Sequence, residues 1–400
     1  MWLVIFKRML RRLIRFGNLR VSLPDGTHLQ LGDGSGTPVA VHLRDPSLPR
    51  KFILNPELAV GEAYMDGTMT IEGDDLHGLI SIGIRNWSLG KGHGVESLMA
   101  PLMKPLKYRN SARMARRNAA HHYDLSGALY ALFLDADRQY SCAYFRDASL
   151  SLEEAQSAKK QHIARKLCLH RPDLRVLDIG CGWGGMALTL ARDFGARVVG
   201  ITLSDEQRQV AQQRVAKAGL ADRVEIRLQD FRAITERFDR VVSVGMFEHV
   251  GARYYRRFFQ GVHDMLTDDG VALIHSIGNC SSPGRTSPWI AKYIFPGGYI
   301  PSLSEVSRAI EREQLFTTDI EVWRLHYAET LRHWYDRFMA NIDRVREIYD
   351  ERFCRMWRFY LVASELTFRL NWQVVFQIQL ARRQDAVPLT RDYLYGQASP

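Results

Sequence analysis

One short stretch, residues 175–185, limits what this chain can fold into more than any other part. It reads RVLDIGCGWGG, an apolar run that leads into four glycines, and a helical pattern follows over residues 186–194. Glycines at a strand-to-helix turn adopt backbone angles that other residues avoid, and they let a ligand approach the backbone closely. The stretch therefore predicts a nucleotide-type pocket at the carboxyl end of the first strand of an open α/β sheet.

The glycine spacing does not by itself identify the nucleotide. Gly180, Gly182 and Gly185 also fit the G-x-G-x-x-G pattern of dinucleotide-binding proteins, and a glycine-rich turn without a ligand is a further alternative. Asp178 separates the possibilities, because a carboxylate ahead of the first glycine would repel a pyrophosphate and suits a cationic amino group. This arrangement resembles motif I of the class I S-adenosylmethionine methyltransferases. The resemblance implies that Asp178, Gly180, Gly182 and Gly184 bind S-adenosylmethionine.

Beyond residue 185, short apolar runs alternate with helical stretches. The runs predict strands at residues 198–201, 224–227, 241–244, 271–277 and 320–323. Such alternation is typical of a doubly wound sheet. The predicted fold class is therefore α/β, a Rossmann-like class I methyltransferase sheet with a small N-terminal α+β domain and helical C-terminal additions. The helical tail is expected to cover residues 328–383.

More cofactor contacts are expected where the second strand ends, in the segment GITLSDEQ (200–207). Thr202 and Gln207 are candidate ligands there. Asp205 or Glu206 is an alternative partner for the ribose hydroxyls. Ser204 and Gln207 also fit a helix capping box, so the role of Gln207 is open between ligand and cap.

The end of the third strand adds three candidates for the adenine ring. Gln229 and Asp230 supply an acceptor for the adenine amino group, and Phe231 supplies an apolar ring for its face.

Length, charge and cysteine content narrow the class of protein. The 400 residues are 46% hydrophobic and 24% charged, as in globular proteins, and predict two or three domains. We divide them into residues 1–20, residues 21–95 and a catalytic domain over residues 96–400 with its core at about 170–330. The net charge of +10 favours an acidic partner, either nucleic acid or an anionic membrane surface. The five cysteines are widely spaced, which argues against a zinc site or disulfide framework and favours the reducing cytosol.

Two basic segments bear on the membrane alternative. Residues 1–20 carry six basic and no acidic residues among many apolar ones, which predicts an amphipathic helix at the interface of an anionic membrane. The segment is too short to span a bilayer and lacks a signal-peptide cleavage site; packing on its own domain is the alternative. Residues 97–123 also lack acidic residues, and either a phosphate contact or a solvated face would explain them.

Seven segments, in order, resemble the cyclopropane-fatty-acyl-phospholipid synthases and the mycolic acid cyclopropane synthases. They are HYDL (122–125), YSCAYF (140–145), LDIGCGWGG (177–185), GITLSDEQ (200–207), SVGMFEHVG (243–251), LIHSIG (273–278) and IFPGGYIP (294–301). The likeness covers about residue 110 to the end. Residues 55–67, NPELAVGEAYMDG, resemble the extra domain of the phospholipid-acting branch.

The resemblance implies a reaction and a set of catalytic residues. An alkene in an unsaturated phospholipid acyl chain attacks the sulfonium methyl group, a carbocation forms on the chain, and bound bicarbonate removes a proton so that a cyclopropane ring closes. The matching bicarbonate ligands are the backbone at Cys142 and Ile277 and the side chains of Glu248, His275 and Tyr327. No motif activates Cys142 as a nucleophile.

The same resemblance adds Tyr140 to the cofactor-binding residues. Aromatic faces such as Tyr144, Phe247 and Tyr299 could stabilise a passing cation, although ordinary core packing is the favoured interpretation of each. The expected partners are unsaturated phospholipid acyl chains and an anionic membrane surface, with the protein cytoplasmic and peripheral at the inner membrane face. A homodimer is a further expectation.

Three alternatives compete with this interpretation. A relative with the same site could divert the cation and make a methyl-branched acyl chain, and the sequence leaves that choice open. A nucleic-acid methyltransferase would suit the basic charge, but the chain lacks the N/D-P-P-Y/F motif and a recognisable RNA-binding module, so no nucleic-acid partner is expected. A lipid-binding protein with a degenerate pocket conflicts with the intact LDIGCGWGG.

Overall fold

A computed structural model describes residues 1–90 and 127–395 of the chain. The HYDL segment and the basic stretch at 97–123 lie outside these residues. Contacts divide the chain into two units. The first contains the described part of residues 1–107 together with Thr286–Pro296 and Leu331–Trp372, and the second contains the described part of the remainder. The sequence predicted a domain boundary near residue 95. In the structure, two later segments, Thr286–Pro296 and Leu331–Trp372, also group with the N-terminal region.

The helices and strands of the described residues are as follows. The helices are α1 (Trp2–Leu13), α2 (Leu48–Leu54), α3 (Pro56–Met65), α4 (Leu76–Gly90), α5 (Gly127–Phe133), α6 (Leu152–Lys166), α7 (Gly185–Phe194), α8 (Asp205–Lys217), α9 (Tyr255–Met265), α10 (Pro288–Tyr293), α11 (Leu303–Glu311), α12 (His326–Ala340), α13 (Ile342–Ile348), α14 (Glu351–Leu370) and α15 (Asp392–Tyr395). The strands are β1 (Leu19–Ser22), β2 (His28–Leu31), β3 (Val39–Leu43), β4 (Met69–Ile71), β5 (Arg175–Ile179), β6 (Arg197–Thr202), β7 (Val224–Leu228), β8 (Phe238–Val244), β9 (Leu266–Asn279), β10 (Phe316–Trp323) and β11 (Gln373–Ala381).

The first unit combines a four-stranded sheet with helices. The strand order is β2-β1-β3-β4, and alternate residues of each strand are buried, as expected when one face of a sheet covers a core. The long helix α14 packs against α3 and α4. Trp289 on α10 is buried against Phe359 of α14, with ring centroids 4.7 Å apart. A Cβ atom at Gly61 of α3 would lie 2.4 Å from that indole, so glycine is required for this packing.

The N-terminal helix is shorter than predicted. It ends at Leu13, and the chain turns through Gly17, whose φ of 98° is in the left-handed region, before β1 begins. The prediction of a helix over residues 14–20 was therefore wrong. The side chain of Asn86 holds the turn by accepting hydrogen bonds from the backbone of Arg15 at 2.8 Å and Phe16 at 3.0 Å.

The apolar stripe of α1 is turned toward its own unit. Phe6 is buried, and its ring lies 5.8 Å from that of Phe52. Val4 and Ile5 remain exposed near the start of the helix, on the side that also carries arginines. The structure thus supports the packing alternative for the stripe and leaves a basic face with an apolar tip at the surface. Across the described residues, we find no helix with the length and hydrophobicity needed to cross a bilayer.

The second unit is built on a seven-stranded sheet, which confirms the predicted α/β fold class. The strand order is β10-β11-β9-β8-β5-β6-β7. Strands β5 to β9 are parallel neighbours, whereas β11 pairs antiparallel with both β9 and β10. The strand order reverses beside β5, and ligands bind at such switch points in open α/β sheets.

The C-terminal tail corrects one prediction. Helices α12 to α14 occupy residues 326–370, but residues 373–381 form β11 and not the end of a helical tail. The segment QVVFQIQLA is buried almost throughout between β9 and β10, and its β-branched residues suit a strand. Periodicity alone does not distinguish a strand from a buried helix in such a short apolar run. Its two partner strands, β9 and β10, lie far away in the sequence, so tertiary pairing decided the outcome.

Replacing Trp289 by alanine should lower the free energy of unfolding by about 3–5 kcal/mol, the usual cost of removing a large buried aromatic side chain. Urea denaturation followed by circular dichroism measures the change. Trp372→Ala, at a residue that is 62% exposed, is the matched control and should cost far less. Equal losses in the two variants would contradict the packing role of Trp289.

Candidate active site

A cavity lies at the carboxyl ends of the parallel strands of the second unit. The predicted cofactor residues that line it are Tyr140, Asp178, Gly180, Gly182, Thr202, Gln207, Gln229, Asp230 and Phe231. Several other residues that line the cavity were not predicted from the sequence, among them Arg138, Trp183, Met246, His249 and Arg257. Trp183 lies between two motif glycines, and Met246 and His249 flank Glu248, so their motif positions were the available signal.

The glycine turn has the backbone geometry that its residues predict. Gly180 has φ of 82° and Gly182 has φ of 54°, both in the left-handed region that favours glycine. Gly184, also at φ of 82°, precedes α7 and does not line the cavity. A Cβ atom there would lie 3.1 Å from Ala211 of α8, so Gly184 serves helix packing in this structure.

Asp178 presents a buried carboxylate that is suited to a cation. Its Oδ2 atom has no hydrogen-bond partner among the described residues. Burial raises the pKa of Asp178 to about 7, and the nearby Lys159 ammonium opposes this rise only in part. A buried charge without a partner is costly. The residue therefore fits the positively charged amino group of S-adenosylmethionine.

Gln207 is both part of a helix start and part of the cavity wall. Its backbone N–H donates to Ser204 Oγ at 3.3 Å, which caps α8. Its side chain does not complete the capping box; its Oε1 accepts from Thr202 Oγ1 at 2.8 Å. Asp205 instead pairs with Arg208 on the surface, and Glu206 accepts a hydrogen bond from the Gly127 backbone at 3.1 Å.

Arg232, which was not predicted from the sequence, contacts two of the residues expected to bind adenine, Asp230 and Phe231. Arg232 binds both carboxylate oxygens of Asp230, with its Nε 2.7 Å from one and a terminal nitrogen 2.5 Å from the other. The same guanidinium lies 5.5 Å from the centre of the Phe231 ring. Gln229 donates to the Ala233 carbonyl at 3.0 Å. An ion pair of this kind fixes the orientation of Asp230 at the cavity wall.

Glu248 follows β8 on a short 3-10 helix, Phe247–His249. Its Oε1 accepts a hydrogen bond from the Ile277 backbone N–H at 2.6 Å. Its Oε2 has no hydrogen-bond partner among the described residues, although the side chain is buried. Burial raises the pKa of Glu248 to about 7. Near neutral pH this carboxyl group can therefore either donate or accept a proton.

His275 lies two residues before Ile277 on β9, and both side chains face the same side of the sheet. The ring is buried, and burial together with the nearby Lys159 ammonium lowers its pKa well below the ordinary value. Its Nδ1 lies 3.0 Å from the amide nitrogen of Gln377 on β11. His275 is thus a neutral imidazole at physiological pH.

The loop that carries Cys142 is joined to α12, the helix that carries Tyr327. The Ala143 N–H donates to Thr330 Oγ1 at 3.0 Å, and Thr330 lies one turn after Tyr327. Burial raises the pKa of the Cys142 thiol, which disfavours a nucleophilic thiolate. Tyr144 stacks on Trp323 at 4.7 Å, and Trp323 meets the His275 ring edge at 5.2 Å. None of the five predicted catalytic residues lines the cavity, but Ser141, next to Cys142, does.

The other two aromatic candidates serve the core. Phe247 is buried and packs against Tyr255 at 4.4 Å and Phe258 at 5.1 Å. The Tyr299 hydroxyl donates to the carboxylate of Glu305 at 2.9 Å. The favoured interpretation of these two residues as core is therefore supported.

Lys159 is the main residue of the site that the sequence analysis did not single out. It is fully buried on α6, where it donates to Ser141 Oγ at 2.7 Å and to Gln139 Oε1 at 2.9 Å. Both acceptors line the cavity. Burial lowers the pKa of Lys159 to about 8. A lysine in a helix with several charged residues gives no signal that it points inward, so only the structure identifies it.

Comparisons with known proteins identify the family to which this chain belongs. The family of mycolic acid cyclopropane synthetases matches residues 110–378, and a domain of unknown function matches residues 5–88. A cyclopropane-fatty-acyl-phospholipid synthase of Escherichia coli strain K12 is 37% identical over 372 residues, which cover 89% of this chain and 95% of the relative. The chain belongs to the family of mycolic acid cyclopropane synthetases. It is a methyltransferase that depends on S-adenosylmethionine.

Two further relatives bear on the site. A probable fatty acid methyltransferase of Pseudomonas putida is 35% identical and covers 94% of this chain and 96% of the relative. Among solved structures, the chain is similar to the mycolic acid cyclopropane synthase CmaA1 in complex with SAH and CTAB. The two sequences are 33% identical, and the structures match with a TM-score of 0.63 over 66% of this chain and 97% of that chain. SAH in that family member supports the assignment of S-adenosylmethionine as the methyl donor.

Replacing Asp178 by asparagine should weaken S-adenosylmethionine binding by about 2–3 kcal/mol at pH 8, roughly 30- to 150-fold, since a charged partner is lost. The loss should shrink toward pH 6, because Asp178, with a pKa of about 7, is then mostly protonated in the original protein. Titration calorimetry at both pH values measures this difference.

The same variant provides an internal control. A raised pKa means that the stability contributed by protonated Asp178 is lost as pH rises through 7. The ligand-free variant should therefore melt at a higher temperature than the original protein at pH 8. A variant with unchanged affinity at pH 8 would contradict the role of Asp178.

Proposed function

We propose that this protein is a cyclopropane-fatty-acyl-phospholipid synthase. It transfers a methylene group from S-adenosylmethionine to the cis double bond of unsaturated phospholipid acyl chains. The observation that carries this proposal is the buried, unpartnered Oε2 of Glu248, in a site that also holds a neutral His275. The E. coli relative, matched over most of both chains, bears the name of this activity and supports it.

The cavity residues have separable tasks in this reaction. S-adenosylmethionine supplies an electrophilic methyl group when it is bound. Asp178 holds its amino group by charge, and the left-handed Gly180 and Gly182 let its body approach the backbone. Asp230, oriented by Arg232, and Phe231 form the wall for the adenine ring.

Ring closure requires a base beside the acyl chain. When one alkene carbon bonds to the methyl group, the bond between that methyl group and sulfur breaks and S-adenosylhomocysteine leaves. The other alkene carbon becomes a carbocation. One hydrogen of the methyl group must then leave as a proton, so that the methyl carbon can bond to the cationic carbon and close the ring. A bicarbonate ion would supply this base, and Glu248, His275, Tyr327 and the backbone at Cys142 and Ile277 would hold it. The Oε2 atom of Glu248, with a pKa of about 7, can donate a hydrogen bond to such an anion. The buried Lys159 adds positive charge nearby, which favours an anion.

A methyl-branched product is the second candidate. The same carbocation could instead lose a proton from a neighbouring carbon of the acyl chain, which gives a methyl-branched alkene and keeps all three methyl hydrogens. The Pseudomonas putida relative, a probable fatty acid methyltransferase at 35% identity, favours this alternative. The two products differ in the fate of one proton, so an isotope experiment separates them.

S-adenosylmethionine with a trideuterated methyl group should leave two deuterons in the lipid product, because the third departs as a deuteron when the ring closes. Mass spectrometry of the fatty acids from phospholipid incubated with the protein gives the count. Three retained deuterons would reject the cyclopropane product in favour of the methyl branch, and would leave the cofactor and acyl substrate unaffected.

Glu248→Gln should lower turnover by about 10²–10⁴-fold, the usual share of a positioned acid or base, while S-adenosylmethionine affinity stays within about twofold. The variant should not melt earlier at pH 8, since ionised Glu248 costs stability above its pKa of about 7. Glu225→Gln, which removes an exposed partner of Arg227, is the control and should retain activity. Turnover within threefold of the original protein would contradict the role of Glu248.

We also propose that the protein docks on the cytoplasmic face of an anionic membrane through α1. Val4 and Ile5 are exposed apolar residues, and Arg8, Arg11 and Arg12 are exposed beside them. An apolar tip with a basic face suits the interface of an anionic bilayer. Each arginine near such a surface contributes about 1 kcal/mol, and salt screens this attraction.

The triple variant with Arg8, Arg11 and Arg12 replaced by glutamine should bind vesicles rich in phosphatidylglycerol roughly 100-fold more weakly at low salt. Sedimentation with the vesicles measures binding. The matched triple replacement by lysine keeps the charge and should bind as the original protein does. Equal binding of the original protein to neutral and anionic vesicles would rule out this docking mode.

A further inference from the structure

Gln377 lies next to His275 and has no role in the reaction as proposed above. It is fully buried in the middle of β11 and is directly opposite His275 of β9 in the antiparallel register. Side chains that are opposite each other on antiparallel strands share one face of the sheet and lie within contact distance. The 3.0 Å separation between the Gln377 amide nitrogen and His275 Nδ1 is that of a hydrogen bond.

The donor and acceptor roles in this pair decide where the His275 proton lies. A neutral imidazole carries one N–H donor and one acceptor nitrogen, whereas an amide NH2 group can only donate. Because the NH2 group of Gln377 faces Nδ1, that nitrogen must be the acceptor. The single ring proton is then on Nε2.

We infer that Gln377 is a positioning residue that holds His275 in the Nε2-protonated tautomer, so that His275 donates a hydrogen bond to the bound anion and cannot itself accept the substrate proton. The inference rests on the proposed anion site. A group beyond the direct ligands often fixes the tautomer of a functional histidine in this way. The base is then the anion itself, oriented by His275 and Glu248.

The other neighbour of Gln377 explains why its amide turns to His275. Gln377 is also opposite Glu321 of β10. Glu321 already binds Lys166 at 2.6 Å and His162 at 2.7 Å. Burial would raise the pKa of Glu321, but these two partners hold it at about 2. The carboxylate is therefore ionised and already well partnered, which leaves the Gln377 amide for His275.

A glutamate at position 377 would reverse this arrangement. An ionised carboxylate can only accept, so it would draw the histidine proton to Nδ1 and leave Nε2 without one. His275 would then face the anion with a lone pair, and the two would repel. Methionine, of similar length, would remove the hydrogen bond without imposing the opposite tautomer.

Nitrogen NMR on the full-length protein labelled at histidine tests the tautomer directly. His275→Asn, which removes its signals, identifies them. In the original protein we expect a protonated, pyrrole-type signal at Nε2 and a pyridine-type signal at Nδ1. In Gln377→Glu the pyrrole-type signal should move to Nδ1. A proton on Nδ1 in the original protein would overturn the inference, whether or not the variant folds.

Kinetics test the functional consequence. Gln377→Glu should raise the KM for bicarbonate by about 10- to 100-fold, while S-adenosylmethionine affinity by calorimetry stays within about twofold. Gln377→Met should show a smaller rise. Gln379→Met is the matched control, because Gln379 is buried two residues along the same strand but binds the Lys166 carbonyl and the Tyr393 hydroxyl. It should leave the tautomer and the bicarbonate KM unchanged.

The two experiments fail in different ways. If the tautomer is as expected but the original protein needs no bicarbonate, the proposed anion site is wrong and the hydrogen-bond assignment stands. If bicarbonate is required but Gln377→Glu folds with an unchanged tautomer and KM, the role of Gln377 is wrong and the anion site stands.

Discussion

The candidate active site depends on two buried carboxyl groups, those of Asp178 and Glu248. Each has an oxygen without a hydrogen-bond partner among the described residues, and burial raises both pKa values to about 7. Groups of this kind cost folding free energy and recur where a ligand supplies the missing partner. We propose that this partner is a cationic group at Asp178 and an anion at Glu248. Asp178 lies on β5, and Glu248 follows the neighbouring strand β8, so the two proposed ligand sites are close to each other.

The sheet brings these groups together through its order and register. Asp178 is near the end of β5 and Glu248 comes shortly after β8, and these parallel strands end at the edge where open α/β sheets bind ligands. The antiparallel strand β11 is different, because its contribution comes from the middle of the strand. Its register puts Gln377 between His275 and Glu321, so a C-terminal segment reaches the interior of the site. The buried Lys159 and the ion pairs of Glu321 supply the electrostatic frame around it.

The N-terminal helix α1 of the first unit presents two different faces. A strongly amphipathic segment with basic residues suggests a membrane helix, yet the buried Phe6 shows that its apolar stripe also packs on its own unit. The exposed Val4 and Ile5 beside arginines are what remains for a membrane. Packing and the proposed docking thus involve different faces of one short helix, and the hydrophobic pattern alone does not separate them.

The sequence by itself determined the fold class, the glycine turn with Asp178, and the candidate residues that line the cavity, because these depend on local spacing and on motifs whose order the chain preserves. Tertiary structure decided what long-range pairing controls. It made residues 373–381 a strand, ended the first helix at Leu13, and gave Gly184 a packing contact. It also turned Lys159 and Gln377 inward, where burial and register give them partners. A side chain's direction and its pKa depend on neighbours that no local pattern specifies.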